Sequence, residues 1–147
     1  MSIGLKWSCW LIVIGLVACA PAATPTTSPV TPSGLLIQYH LSGGIAGLSE
    51  TWLIYADGRV EHSGSGSGQA RQLSPDQITT LVAEMRSTNF ASWKESYVPL
   101  NQCCDRFLHV ITLTLDGQTK TVRTLDAAPD EPPALTRLLS VINAILR

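Results

Sequence analysis

The sequence predicts an α+β fold in which an antiparallel sheet of about five strands, two hairpins plus an N-terminal strand, carries two helices packed on one face. Three observations predict it. Several segments alternate apolar and polar residues with the period of two that a half-buried strand requires, and Asp-Gly pairs interrupt them. Two other segments repeat apolar residues at helical spacing behind clear helix-start signals. The resulting order is strand, strand, strand, helix, strand, strand, helix, with connections too short for the crossovers of a parallel, doubly wound sheet.

The first strand spans about residues 35–42, where Leu35, Ile37, Tyr39 and Leu41 alternate with Leu36, Gln38, His40 and Ser42. Glu50 to Ala56 is aromatic and β-branched enough for the second, and Asp57-Gly58 turns the chain into a third over Arg59 to Ser63. Ser63 to Gly68 alternates Ser and Gly, the composition of a flexible connection, and lacks the lysine of a phosphate-binding loop. Ser74-Pro75-Asp76-Gln77 starts a helix: Ser74 is the N-cap, Pro75 the first helical residue, and Gln77 closes a capping box. Ile78, Leu81, Val82 and Met85 form its apolar face, it ends near Thr88-Asn89, and Phe90 and Trp93 suit one further turn. Asp105 to Leu115 is the longest strand, with Phe107, Ile111, Leu113 and Leu115 on one face, and Asp116-Gly117 turns it into a partner over Thr119 to Leu125. Asp130-Glu131-Pro132-Pro133 opens the last helix, acidic at its positive dipole end, and Leu135, Leu138, Leu139, Ile142, Ile145 and Leu146 form a broad apolar stripe.

Ahead of the folded region, Lys6 precedes an apolar run from Trp7 to Ala18 that is about 12 residues long, short of the roughly 20 that a spanning helix needs. It reads as the core of an export signal over residues 1–18. Leu16-Val17-Ala18-Cys19 resembles a bacterial lipobox. The resemblance implies lipidation of Cys19, cleavage before it and acylation of the new amino group, and several acyl chains hold a protein on a membrane stably where one does not. The bland alternative is an uncleaved anchor with Cys19 unmodified. Either places the domain outside the cytoplasm, in the bacterial cell envelope. Residues 19–33 are the lipidated cysteine and a Pro/Thr-rich tether, which at about 3.1 Å per residue reaches roughly 40 Å. Residues 34–147 then form a single α+β domain.

Without Lys6 the exported chain carries nine Lys and Arg against eleven Asp and Glu, a net charge near −2. The basic residues, Arg59 to Arg147, are scattered singly, which argues against a nucleic-acid partner. No HExxH, Gly-x-Ser-x-Gly, Walker-type lysine or dinucleotide fingerprint occurs. A triad assembled in space would draw on His109, Asp105 and a serine, and no feature marks any serine as activated. The expectation is a non-enzymatic domain with neither a cofactor nor a metal of its own.

Cys9 leaves with the signal and Cys19 is taken by lipid, so Cys103-Cys104 are the remaining cysteines. An oxidising exterior favours bridging them as a vicinal disulfide, a strained and comparatively reducible bond. Free thiols, intermolecular pairing and a metal site stay open as alternatives, the last the weakest because adjacent ligands suit one tetrahedral ion poorly. His40, His62 and His109 show no ligand-like spacing, and His109, on the parity of Phe107 and Ile111, reads as a satisfied core or edge histidine.

The loop Gly43-Gly44-Ile45-Ala46-Gly47-Leu48 has the best functional claim as a partner-binding segment: its glycines permit close backbone approach while small apolar side chains are displayed. A plain tight turn between strands looks the same. The chain resembles the emfourin-type domains, whose namesake inhibits thermolysin-like metalloproteases, and a related group of uncharacterised bacterial lipoprotein domains. Ser42-Gly43-Gly44-Ile45-Ala46-Gly47, Asp105-Arg106-Phe107 and Pro132-Pro133 carry that resemblance, while Tyr55-Ala56-Asp57-Gly58 and Asp116-Gly117 fit the uncharacterised group; together they cover about residues 37–145. The resemblance implies a protein partner, a metalloprotease, inhibited noncovalently by surface complementarity at the glycine loop. The competing expectation is an envelope-associated structural lipoprotein without inhibitory activity.

Overall fold

A computed structural model describes residues 34–65, 70–102 and 105–147. The signal, Cys19, the tether and the Cys103-Cys104 pair lie outside the described residues. No helix among the described residues is long and apolar enough to cross a membrane.

The chain forms β1 (Leu35–Gly43), β2 (Leu48–Tyr55), β3 (Arg59–Gly64), β4 (Arg71–Gln72), α1 (Pro75–Ser87), a short 3-10 turn (Phe90–Ser92), β5 (Ser96–Tyr97), β6 (Phe107–Leu115), β7 (Gln118–Leu125) and α2 (Pro133–Leu146). The α+β class stands, but the sheet is mixed and has seven strands in the order β4-β3-β2-β1-β6-β7-β5. Two two-residue strands account for the difference. β4 pairs antiparallel with the start of β3, because Leu73 next to it is buried at 3% exposure and its N–H donates to the Gly58 carbonyl at 2.9 Å. β5 pairs parallel with β7, held by Tyr97 in the core and by the Arg123 N–H donating to the Glu95 carbonyl at 2.9 Å. Neither is long enough to show a period of two, and each covers part of an edge strand that would otherwise present unpaired backbone groups.

Further boundaries shift. β2 begins at Leu48, which pairs with Gly43, so the glycine loop proper is Gly44 to Gly47. β6 begins at Phe107, leaving Asp105 and Arg106 outside the strand.

One face of the sheet, built from Ile37 and Tyr39 of β1, Ile54 of β2, Val60 of β3, Ile111 and Leu113 of β6 and Val122 of β7, joins Leu81 and Met85 of α1 and the α2 leucines in one apolar cluster. The opposite face is mixed and partly open: Gln38, Thr121 and Arg123 are exposed, Leu53, Leu108 and Val110 are half-buried among them, and Thr112 and Thr121 share a cross-strand hydrogen bond of 2.8 Å. Ser74 caps α1 as the sequence requires, its hydroxyl accepting from the Gln77 N–H at 3.2 Å while Gln77 Oε1 accepts from the Ser74 N–H at 2.8 Å. α2 has Pro132 at its N-cap, with no side-chain cap. Its Leu135, Leu138 and Ile142 are fully buried, so packing holds it in place. Leu138→Ala is expected to lower the unfolding free energy by about 2–5 kcal/mol and Ser74→Ala by about 1 kcal/mol, both read from urea denaturation.

Candidate functional site

Strand direction sorts the loops to two ends of the sheet. β1 starts opposite Tyr55 and ends opposite Leu48 and Phe107. The Asp57-Gly58 and Asp116-Gly117 turns therefore lie at the end where the chain enters β1. The Gly44–Gly47 loop, the segment leading into β6 and the exit of β7 lie at the other, since Leu108 pairs with Leu125. β5 runs parallel to β7, so residues 98–102 leave it towards this same end.

The glycine loop is closed by the Gly47 N–H donating to the Gly44 carbonyl at 2.9 Å. Its first two glycines are fixed by the neighbouring strand. A Cβ on Gly43 would sit 2.5 Å from the Arg106 carbonyl oxygen, and one on Gly44 would sit 2.9 Å from the Phe107 ring; both residues have positive φ, 122° and 73°. Packing and turn geometry thus explain these two glycines, as the plain-turn reading requires. They do not explain Ile45, whose side chain is 91% exposed at the tip. Ala46 is exposed beside it, and Leu48 is half-buried in β2.

Behind the loop, four rings stack across the helix-covered face. His62 lies 4.8 Å from Trp52 at 2° between planes, Trp52 lies 5.3 Å from Tyr39, and Tyr39 lies 5.9 Å from His109. A carboxylate closes each end. Glu50, 5% exposed, accepts from the His62 ring and from the Ser65 N–H at 3.1 Å. Asp126 Oδ1 lies 2.7 Å from His109 Nε2. A carboxylate only accepts, so Nε2 carries the proton, and in the neutral ring Nδ1 accepts from the Tyr39 O–H at 2.8 Å. Burial pushes the Tyr39 phenol up to about 12; a hydrogen bond from Asn143 of α2 works against that shift and the negative charge of Asp126 adds to it.

Asp126 is a junction. Its Oδ2 accepts from the Phe107 N–H at 3.1 Å, and its carbonyl accepts from the Arg106 guanidinium. Ala127 follows in a left-handed conformation, φ 53°. Between this exit of β7 and the flank of α2 is a recess of about 450 Å³ lined by His109, Asp126, Glu131, Ser140, Asn143 and Ala144, among others. Glu131 accepts from Thr124 and, at 2.8 Å, from Thr136.

His109 is thus a satisfied histidine on the inner face, and its carboxylate partner is Asp126, not Asp105. Asp105 lies instead beside the glycine loop, its Oδ1 3.5 Å from where a Gly44 Cβ would stand. Both His109 ring nitrogens are engaged and Tyr39 has no exposed surface, so the Asp126–His109–Tyr39 line braces β1, β6 and the β7 exit against one another. Among the described residues, no group of three or more His, Cys, Asp or Glu side chains is placed to hold a metal ion.

Sequence reasoning missed Glu50 and Asp126. Glu50 shares the parity of Trp52, and the hairpin register brings it near His62, so that pair was within reach. Asp126 was not, because its partners lie 17 and 19 residues back across a strand pairing. Comparison with models of known protein families gives no match, and comparison with curated proteins gives none.

The raised Tyr39 value carries a stability consequence. The phenol ionises near 10 when unfolded and near 12 when folded, so the unfolded chain loses this proton first as pH rises. Its contribution is present in full below about pH 10 and falls away as pH rises to about 12. Tyr39→Phe is expected to flatten that part of the alkaline stability profile. It also costs about 1–3 kcal/mol at neutral pH, by leaving His109 Nδ1 without its partner, as read from urea denaturation at a series of pH values.

Proposed function

We propose that the chain is a membrane-tethered, extracytoplasmic lipoprotein whose non-enzymatic domain binds a protein partner through the Gly44–Gly47 loop, the partner being a thermolysin-like metalloprotease that it inhibits. One observation carries the binding part of this reading. Ile45, a large apolar side chain, stands 91% exposed on a short loop whose base is fixed against Arg106 and Phe107. A fixed loop loses little conformational freedom on binding, which makes an exposed apolar tip an effective anchor. The sequence patterns around the loop and at Pro132-Pro133 support the choice of a metalloprotease, and Leu16 to Cys19 supports the lipid anchor.

The test is to titrate the full chain, in detergent micelles, into a thermolysin-type metalloprotease and follow hydrolysis of a small peptide. Stoichiometric inhibition is expected, weakened at least about tenfold by Ile45→Glu, a loss of more than about 1.4 kcal/mol of binding. Ile45 is the cleaner probe. Gly44→Asp would push a Cβ into the Phe107 ring at positive φ and disturb folding as well as binding. No inhibition by the unsubstituted chain would overturn the metalloprotease assignment.

A further inference from the structure

β7 is an edge strand over most of its length. β5 pairs with Arg123 and Thr124 alone, so Gln118 to Val122 have β6 on one side and, among the described residues, no strand on the other. The Arg123 N–H points away from β6, since it donates to the Glu95 carbonyl at 2.9 Å. Residues of an antiparallel strand alternate between those that bond the neighbouring strand and those that face away from it. Thr121 and Thr119 therefore turn their N–H and C=O groups outward in the same direction as Arg123. Their side chains agree: Thr121 lies 2.8 Å from Thr112 and Thr119 lies 3.2 Å from Thr114, Oγ to Oγ, the close approach of pairs that exchange no backbone bonds. Both threonines are exposed, and an open groove of about 530 Å³ lies against them, lined by Glu95, Thr119, Lys120, Thr121 and Arg123.

We propose that the Gln118–Val122 edge accepts an extended acidic segment of another protein as an added antiparallel strand, hydrogen-bonded to the backbone of Thr119 and Thr121. Strand addition draws its affinity from main-chain bonds and its selectivity from alternate side chains. The selectivity here is electrostatic. No ion pair among the described residues involves Lys120 or Arg123. Lys94, with its Nζ 5.9 Å from the centre of the Tyr97 ring, adds a third cation beside β5. Glu95 is the carboxylate that faces them, while Arg86 and Asp116 at the hairpin turn bond each other. Three cations against one carboxylate, with that pair neutral, favour an acidic occupant.

A lysine on an edge strand ordinarily guards it against pairing with a second copy. Lys120 does so in a way that also selects. The self-pairing register that would satisfy all four outward groups sets Thr119 against Thr121 and Thr121 against Thr119, and so sets Lys120 opposite itself. Like charges directly opposite are destabilising, whereas a carboxylate in that place is attracted. The open half of β7 lies at the end of the sheet that carries the Asp116-Gly117 turn, away from the Gly44–Gly47 loop, so the proposal does not depend on the role given to that loop.

The test uses the full, isotope-labelled chain in detergent micelles and a capped synthetic peptide, Thr-Val-Thr-Glu-Thr-Val-Thr. Its central glutamate opposes Lys120 while the threonines beside it pair with Thr119 and Thr121. Saturating peptide is expected to slow hydrogen exchange at the Thr119 and Thr121 amides at least about tenfold and to leave the Gly47 amide unchanged. Replacing the glutamate of the peptide by lysine, or Lys120→Glu in the chain, is expected to weaken binding at least about tenfold, and the lysine peptide to recover binding to the Lys120→Glu chain. A peptide N-methylated at the two threonines beside the glutamate keeps its charge and is expected not to bind. Lys120 is half-buried and forms no hydrogen bond through its side chain among the described residues, and an unchanged urea midpoint shows that Lys120→Glu folds. No protection at Thr119 and Thr121, equal binding of the glutamate and lysine peptides, or equal binding of the methylated peptide would each overturn the proposal. So would protection that rises with chain concentration without peptide, the mark of a second copy on this edge.

Discussion

The hydroxyl of Tyr39 is the constraint on which the arrangement depends. A phenol with no exposed surface must have its hydrogen-bonding groups satisfied inside the protein, or the fold loses about 1–3 kcal/mol at that atom. Its hydrogen-bond partner, His109 on β6, lies 70 residues away in the chain. Satisfying one atom therefore fixes β6 against β1 at a defined register. His109 can accept from Tyr39 only if its other nitrogen holds the proton, and Asp126 secures that tautomer. Asp126 in turn sets the start of β6 at Phe107, whose ring closes over Gly44. The shape of the exposed loop thus follows from a buried hydrogen bond several residues away.

This dependence explains what the sequence could and could not reveal. The long strands, the capped helix α1 and the Asp-Gly turns are local features, each written in a window of about ten residues, and they were legible. The pairing of β1 with β6 joins residues about 70 positions apart, and no local pattern announces which histidine will meet which tyrosine. Asp126 looks like an unremarkable acid after a strand until that pairing exists. The short strands were illegible for a different reason: β4 and β5 have two residues each and are drawn to the sheet by Leu73 and Tyr97 acting as plugs, not by any alternation of their own. Leu48 reads as the last residue of the glycine loop, yet it pairs with Gly43, and the register of β1 with β2 decides the matter.

The same facts bear on how the two readings of the glycine loop divide. A plain turn accounts for Gly43 and Gly44 completely, through the backbone of Arg106 and the ring of Phe107. It predicts nothing about the residue at the tip. An isoleucine there keeps its apolar surface in water, and covering that surface with a partner is worth about 25 cal/mol for each Å² buried. Leu100 is likewise exposed, on a different connection. The helix-free face, by contrast, is dressed in threonines that bond one another across β6 and β7, at 2.8 Å for Thr112 with Thr121 and 3.2 Å for Thr114 with Thr119. An isoleucine left almost fully exposed at the tip of a loop whose base packs on Arg106 and Phe107 is a pre-ordered apolar anchor, and this makes the loop the place to look for a partner.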